Sequence, residues 1–392
     1  FFKQKTAYDI MPSLVGSEMC IRDRFIAMDL NFSDEQKMLR EEIHKFCMSD
    51  YTFEKREEII KSGEGFDRDF WKLFSELGWL SLPFNEDSGG FGCGPVELSI
   101  LFEEFGKVLV LEPYLSTVVL SGYIIDNSSF SRRVEFVEAI TSGNKHVSLA
   151  YIEPNQNFDH ADPETSAVND GDNIIINGKK SLVLNGGNAD NLIVWVSYDD
   201  KKALILIDKE QSGLSFIEFP TVDGQTCTEI SFKDVNVSKD AILAIGDEAE
   251  GLLNEAINLA TLCVSAESIG CMTACYMKTI EYTKGRQQFG QPISKFQVLQ
   301  HRMVDMFMET EVCKSLLYKA MLECDSNQDT KSKSVSALKY QIGTSGRLVS
   351  QEAVQLHGGM GVSDEMLIGH YLKKLVAIDA LFGNSDYHLK KY

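Results

Sequence analysis

The spacing of apolar positions changes character twice along the chain. From Phe32 onward, Met38, Leu39, Ile43 and Phe46 fall at helical intervals, with Ser33 placed as an N-cap and acidic residues in the first turn. The same period predicts helices over about 69–77, 96–105 and 116–125, and the glycine- and proline-bearing stretch 83–94 is left as a loop. Between 146 and 245 the period shortens to two, in β-branched runs separated by Gly, Asn and Asp, which predicts a small antiparallel β domain. After Gly251 long helical patterns return, over roughly 252–283, 296–323, 332–356 and 369–381, with breaks at 290–294 and 358–363. The pattern therefore predicts an α+β chain: an N-terminal all-α domain at 28–145, a central antiparallel β domain at 146–245 and a C-terminal four-helix bundle at 246–392.

Residues 1–27 follow neither period. They hold no apolar block long enough for a signal peptide and resemble translated sequencing-adapter sequence, so we expect an artefact there and a natural start at Met28.

Composition narrows the chemistry. With 44% hydrophobic residues the 392-residue chain is globular, and 38 basic against 58 acidic side chains leave it at a formal −20. Nucleic acid and anionic membrane surfaces are excluded as partners by that repelling field, and a polyanionic ligand requires a local basic pocket. The nine cysteines show neither a CxxC pair nor zinc-type spacing, so no metal is indicated. Cys263, Cys271 and Cys275 fall at helical intervals in an apolar stretch, which reads as reduced core thiols of a cytoplasmic protein.

Two strings carry candidate chemistry. Arg286-Gln287-Gln288-Phe289-Gly290 lies where one long helix gives way to the next, and an arginine fork there can hold two phosphate oxygens or merely cap a loop. Gln355-Leu356-His357-Gly358-Gly359-Met360-Gly361 lies at a helix end, where glycines let backbone N–H groups approach an anion or simply stop the helix. His357 can touch a nucleotide or answer the helix dipole, and His301 reads as an interhelical polar contact.

In this order and spacing the two strings resemble the acyl-CoA dehydrogenase family, and the resemblance extends over nearly all of 28–392. Trp71 to Gly78 and Asp87-Ser88-Gly89-Gly90-Phe91-Gly92 are similar to N-terminal segments of that family. Ile176-Asn177-Gly178-Lys179-Lys180, Asn185-Gly186 and Ala189-Asp190 are similar to its β-domain segment. The resemblance implies an FAD flavoenzyme of fatty-acid-type metabolism that desaturates an acyl-CoA substrate, a glutamate taking the α-proton while the β-hydride passes to the flavin. It further implies an electron-transfer flavoprotein as acceptor. FAD in the family lies across a subunit interface, its flavin on one chain's β domain and its ADP half on the neighbour's segments matching Arg286, Gln288, Phe289, Gln355, Gly358, Gly359 and Gly361.

The chain departs from the family at the chemistry itself. The tail that normally opens with the catalytic glutamate reads Leu381-Phe382-Gly383-Asn384-Ser385-Asp386, so the base position is Phe382, and the alternative base position of some members matches Ala260. Neither can take a proton. The threonines that face the flavin are replaced by Ile152 and Leu184, and the glycine-rich continuation by Asn155-Gln156-Asn157. Loss in cis with retention in trans is expected of a subunit that completes the FAD site of a homologous catalytic acyl-CoA dehydrogenase subunit. The tail and Cys263 to Glu267 are also similar to small or β subunits of heteromeric members, such as the pimeloyl-CoA dehydrogenase small subunit. Two alternatives remain open: a homomer with a relocated carboxylate base, and an FAD-free structural paralogue. The weak surrogates for the base are Glu267, seven residues after Ala260 on the same helix face, and Asp379 and Asp386, which flank Phe382.

Overall fold

The structure is a computed structural model that describes residues 32–154, 156, 158–324 and 328–392. The expected artefact at 1–27 and Met28 lie outside the described residues. Asp34–Tyr392 forms one compact unit.

The N-terminal third is helical: α1 (Asp34–Ser49), α2 (Phe53–Ser62), α3 (Arg68–Glu76), α4 (Pro95–Val108), a π-helical stretch Leu115–Gly122 running into α5 (Tyr123–Asn127), and α6 (Arg133–Thr141). α1 buries Ile43, Phe46 and Cys47, whereas Met38 is 70% exposed. Its first turns meet α4 through polar bonds instead, Gln36 to Glu97 at 2.8 Å and Arg40 to Glu103 at 2.6 Å. α2 is capped at both ends, by the Thr52 side chain on Lys55 N–H and by left-handed Gly63. The predicted helix at 116–125 opens into wide π turns, a form often associated with functional sites.

The middle region is an eight-stranded sheet: β1 (Val147–Ala150), β2 (Ser166–Asp170), β3 (Asn173–Leu184), β4 (Asn191–Tyr198), β5 (Lys201–Asp208), β6 (Leu214–Pro220), β7 (Thr226–Ser238) and β8 (Ile242–Ile245). Its order is β6-β7-β3-β2-β4-β5-β8, with β1 also on β4. Most pairings are antiparallel, as expected; β1 and β2 run parallel to β4, which makes the sheet mixed. Alternating residues such as Ile174, Ile176, Val194 and Ile205 fill its core.

The last third is α7 (Asp247–Gly285), a short hairpin of β9 (Gln287–Gln288) and β10 (Gln291–Pro292), α8 (Gln297–Leu322), α9 (Gln328–His357), α10 (Leu367–Ala380) and α11 (Ser385–Lys391). α7 is long and apolar enough to cross a membrane, but 83% of its apolar window is buried inside the protein. Cys263, Cys271 and Cys275 are buried free thiols on it.

α4 and α7 cross at two glycines. A Cβ on Gly106 would lie 2.0 Å from the Glu267 carbonyl oxygen, and one on Gly270 would lie 2.0 Å from that of Glu103. Both are backbone contacts that cannot yield without separating the helices. Gly106→Ala is therefore expected to cost about 1–3 kcal/mol in denaturant unfolding, as overpacking of a tight core does.

Candidate functional site

Where the β domain meets α7 and the C-terminal tail there is a cavity of about 330 Å³, lined by Ile152, Asn254, Asn258, Thr261 and Phe382 among others. Phe382 is buried and lines this wall, and its backbone is left-handed (φ +59°), followed by Gly383 at +111°. The turn is held from beneath by Lys339, a buried ammonium that donates to the carbonyls of Ile378 (2.8 Å), Asp379 (3.1 Å) and Gly383 (2.8 Å). Burial pushes that ammonium down to about 8. His388 closes the turn between Ser336 Oγ at 3.2 Å and the Phe382 carbonyl at 3.1 Å. Burial, then the Lys339 charge, pushes His388 down to about 4, so the imidazole is neutral and both its nitrogens are engaged. It clamps the tail and has no free nitrogen for acid–base chemistry.

The structure does not bring the surrogate carboxylates to this cavity. Glu267 is buried against Lys374 (2.8 Å), whose ammonium also meets Asp223 at 3.4 Å, and it does not line the cavity. Burial raises the Glu267 carboxyl while Lys374 opposes the rise. Burial alone would push Lys374 down, but the two carboxylates outweigh it and hold the ammonium above its ordinary value. Asp379 accepts from Ser385 N–H (3.2 Å) and Ser385 Oγ (2.8 Å) and pairs with Arg347 at 3.3 Å, so it fixes the start of α11. Asp386 is exposed, and Ala260 is fully buried in α7. Among the described residues Asp159, itself an exposed residue, is the only carboxylate on the cavity wall.

On the β-domain side, the loop after Ile152 is stapled by Glu153. Its carboxylate accepts from Lys180 Nζ (2.6 Å) and Thr165 N–H (2.8 Å), both shielded from water, and from Glu164 N–H (2.6 Å) at the partly exposed edge. Burial opposes ionisation of Glu153, but these bonds overcome it and hold the carboxyl below its usual value, while burial pushes Lys180 down to about 8. Nothing in the sequence pattern paired these two residues. Leu184 lies in a separate crevice of about 20 Å³ with Glu112 and Asn185, room for a water molecule and not for a ring system. Neither Ile152 nor Leu184 presents a hydroxyl.

The two glycine-bearing strings meet at one end of the bundle. Tyr282, near the end of α7, stacks on His357, at the end of α9, with centroids 4.2 Å apart and planes at 25°. His357 Nδ1 is also 2.8 Å from the Ala353 carbonyl, and burial lowers its basicity, so it is a packing group between the turns. Around this stack Arg286, Gln288, Gln355, Gly358 and Gly359 are exposed, and Arg286 makes no ion pair among the described residues. Phe289 occupies the tip of the β9–β10 turn with φ +53° and is 90% exposed. A Cβ at Gly358 or Gly359 would meet nothing within 4 Å, whereas one at Gly361 would lie 2.7 Å from the Val354 carbonyl oxygen. This end therefore offers a free guanidinium and open backbone, the donor set that suits a diphosphate. His301 is exposed on α8 and not wedged between helices, while Tyr387 packs against Phe158 at 5.4 Å.

The chain thus has three parts, with a cavity between its sheet and its helical bundle and an open, anion-ready arm at the turns that follow α7 and α9. The N-terminal, middle and C-terminal domains of acyl-CoA dehydrogenase match residues 33–144, 148–235 and 251–391, and the chain belongs to the acyl-CoA dehydrogenase family. It is 27% identical over 368 residues to mitochondrial isovaleryl-CoA dehydrogenase of Pongo abelii, covering 90% of this chain and 86% of that one. It is 25% identical over 374 residues to the short-chain-specific acyl-CoA dehydrogenase of Clostridium acetobutylicum, covering 92% and 97%. Among solved structures, the ChsE4-ChsE5 complex from Mycobacterium tuberculosis superposes with a TM-score of 0.85 at 21% identity, covering 93% and 97%. PigA with FAD and proline gives 0.85 at 23% identity over 93% and 97%.

Proposed function

We propose that this chain is the FAD-completing, non-catalytic subunit of a heteromeric acyl-CoA dehydrogenase that desaturates an acyl-CoA thioester. The observation that carries the reading is the contrast between its two halves: Phe382 stands on the cavity wall where a base would be needed, while Arg286 and the Gly358–Gly359 backbone are free to take a nucleotide diphosphate. FAD is the cofactor, and when bound it accepts the hydride of the desaturation. Arg286, Gln288, Phe289, Gln355, Gly358, Gly359 and Gly361 hold its ADP half for a homologous catalytic subunit, which supplies the glutamate. A base relocated to Glu267 or Asp379 is disfavoured, because the first is committed to Lys374 and the second to Ser385 and Arg347. Electrons leave to an electron-transfer flavoprotein, and the buried free thiols suit a cytoplasmic setting.

Coexpression with a homologous acyl-CoA dehydrogenase subunit encoded nearby tests this directly. The chain alone is expected to purify nearly colourless, and the pair yellow and active. Stoichiometric flavin and turnover in a clean homomer overturns the reading. In the assembled complex Arg286→Ala is expected to lower FAD retention on gel filtration by about tenfold, in line with loss of a charge-assisted phosphate bond; unchanged flavin absorbance removes Arg286 from the site.

A further inference from the structure

The cavity beside Phe382 has a neighbour. Asn258 lines both it and a second cavity of about 170 Å³, walled by Leu98 of α4, Leu259 and Leu262 of α7 and Val335 of α9. Neither Phe382 nor any β-domain residue lines this second space. An acyl thioester seated with its thioester end beside Phe382 turns its remote end toward this second cavity, since Asn258 is common to both walls. Its size is close to that of an engineered cavity of about 150 Å³ that binds benzene, so it admits a group of roughly six or seven non-hydrogen atoms.

The wall of this space is not uniformly apolar. Glu255 of α7 and Lys331 of α9 form an ion pair that lines it, their side chains only 24% and 19% exposed. Tyr123 faces the same space, its phenol pushed up to about 12 by burial and by the Glu255 charge. A methyl terminus placed against this pair strips water from two charges and returns no hydrogen bond. A carboxylate terminus adds a second negative charge beside Glu255. A hydroxyl or ketone keeps the pair balanced, accepting from Lys331 and, for a hydroxyl, donating to Glu255.

We propose that this second cavity selects acyl thioesters whose far end carries a neutral hydrogen-bonding group, a hydroxyl or a ketone, and that this chain holds them without oxidising them. The proposal rests on the subunit reading for the absence of turnover, and on Glu255 and Lys331 for the selectivity.

Calorimetric titration of the purified full-length chain tests it, with saturated, ω-hydroxy and ω-carboxy acyl-CoA thioesters matched in chain length. Should the chain be stable only with its partner, the same titrations use the complex, and the variants below, confined to this chain, isolate its share. The ω-hydroxy thioester is expected to bind at least tenfold more tightly than the saturated one and more tightly than the ω-carboxy one. Lys331→Met should shrink that preference to within twofold, and Leu259→Trp, which fills the cavity from a half-buried position, should weaken all thioesters of this length alike. Equal or tighter binding of the saturated thioester, tightest binding of the ω-carboxy one, no binding at all, or an undiminished preference in Lys331→Met overturns the proposal. Flavin content on coexpression, the test of the subunit reading, is read separately and is unaffected by any of these outcomes.

Discussion

Lys374→Met is expected to destabilise the folded chain by about 3–5 kcal/mol, because it leaves the buried carboxylates of Glu267 and Asp223 without their shared cation. The loss should appear as a lower urea midpoint with an unchanged slope. The cluster joins three regions: Glu267 on α7, Asp223 in the β6–β7 turn and Lys374 on α10. Arg56 of α2 adds the fourth element, donating to the Asp223 carbonyl at 2.6 Å and to Leu109 O at 3.0 Å. A triple neutral variant, Asp223→Asn with Glu267→Gln and Lys374→Met, should recover part of the loss, since no carboxylate then stays buried without a counter-charge while the buried Arg56 guanidinium keeps its carbonyl partners. If Lys374→Met alone is as stable as the wild type, the cluster is not closed to water and its assigned role fails.

Glu112→Gln is expected to stabilise the protein at pH 8 by up to about 3 kcal/mol and to change little at pH 5. Burial raises the Glu112 carboxyl from 4.5 to about 7, and one of its oxygens has no hydrogen-bond partner. The folded protein thus holds this proton more tightly than the unfolded chain does. Stability is full below about 4.5 and falls as pH rises through the window to about 7, above which an ionised carboxylate is buried at a cost of about 1.4 kcal/mol per unit of the shift. The groups that face it are the Tyr51 phenol, the Asp67 backbone and carboxylate and, across the crevice, the amide of Asn185, whose Nδ2 is likewise unpaired. Thermal melts from pH 5 to 9 decide the matter: parallel curves for wild type and Glu112→Gln would mean that Glu112 does not titrate in this range.

Helices such as α1 were legible from one buried stripe and α7 from its length, since it is buried without a break from Ala260 to Met272; β3 was legible from alternation, and β4 and β5 from short apolar runs bounded by turn residues. What escaped is what depends on a distant partner or on caps. α2 is only ten residues long and is announced by Thr52 and Gly63, which periodicity alone does not weigh. The parallel placement of β1 and β2 on β4 is set by the crossover between them, and strands of four and five residues carry no mark of direction. For the site, the retained and lost family positions could be read residue by residue. The fate of Glu267 could not, since its helical offset from Ala260 places it on a face but says nothing of Lys374 on another helix. The Glu255–Lys331 pair was equally invisible, because only the packing of α7 against α9 brings the two together.

The ring at the tip of the β9–β10 turn sets terms for life in a crowded cell. Phe289 stands almost wholly in water, with Val298 and Val362 also largely uncovered. Greasy protrusions of this kind invite chaperones and self-association whenever nothing shields them. On the subunit reading proposed above, solubility and turnover of this polypeptide would be tied to the supply of the surface that shelters that ring, and its abundance is expected to track the dosage of that counterpart more closely than its own.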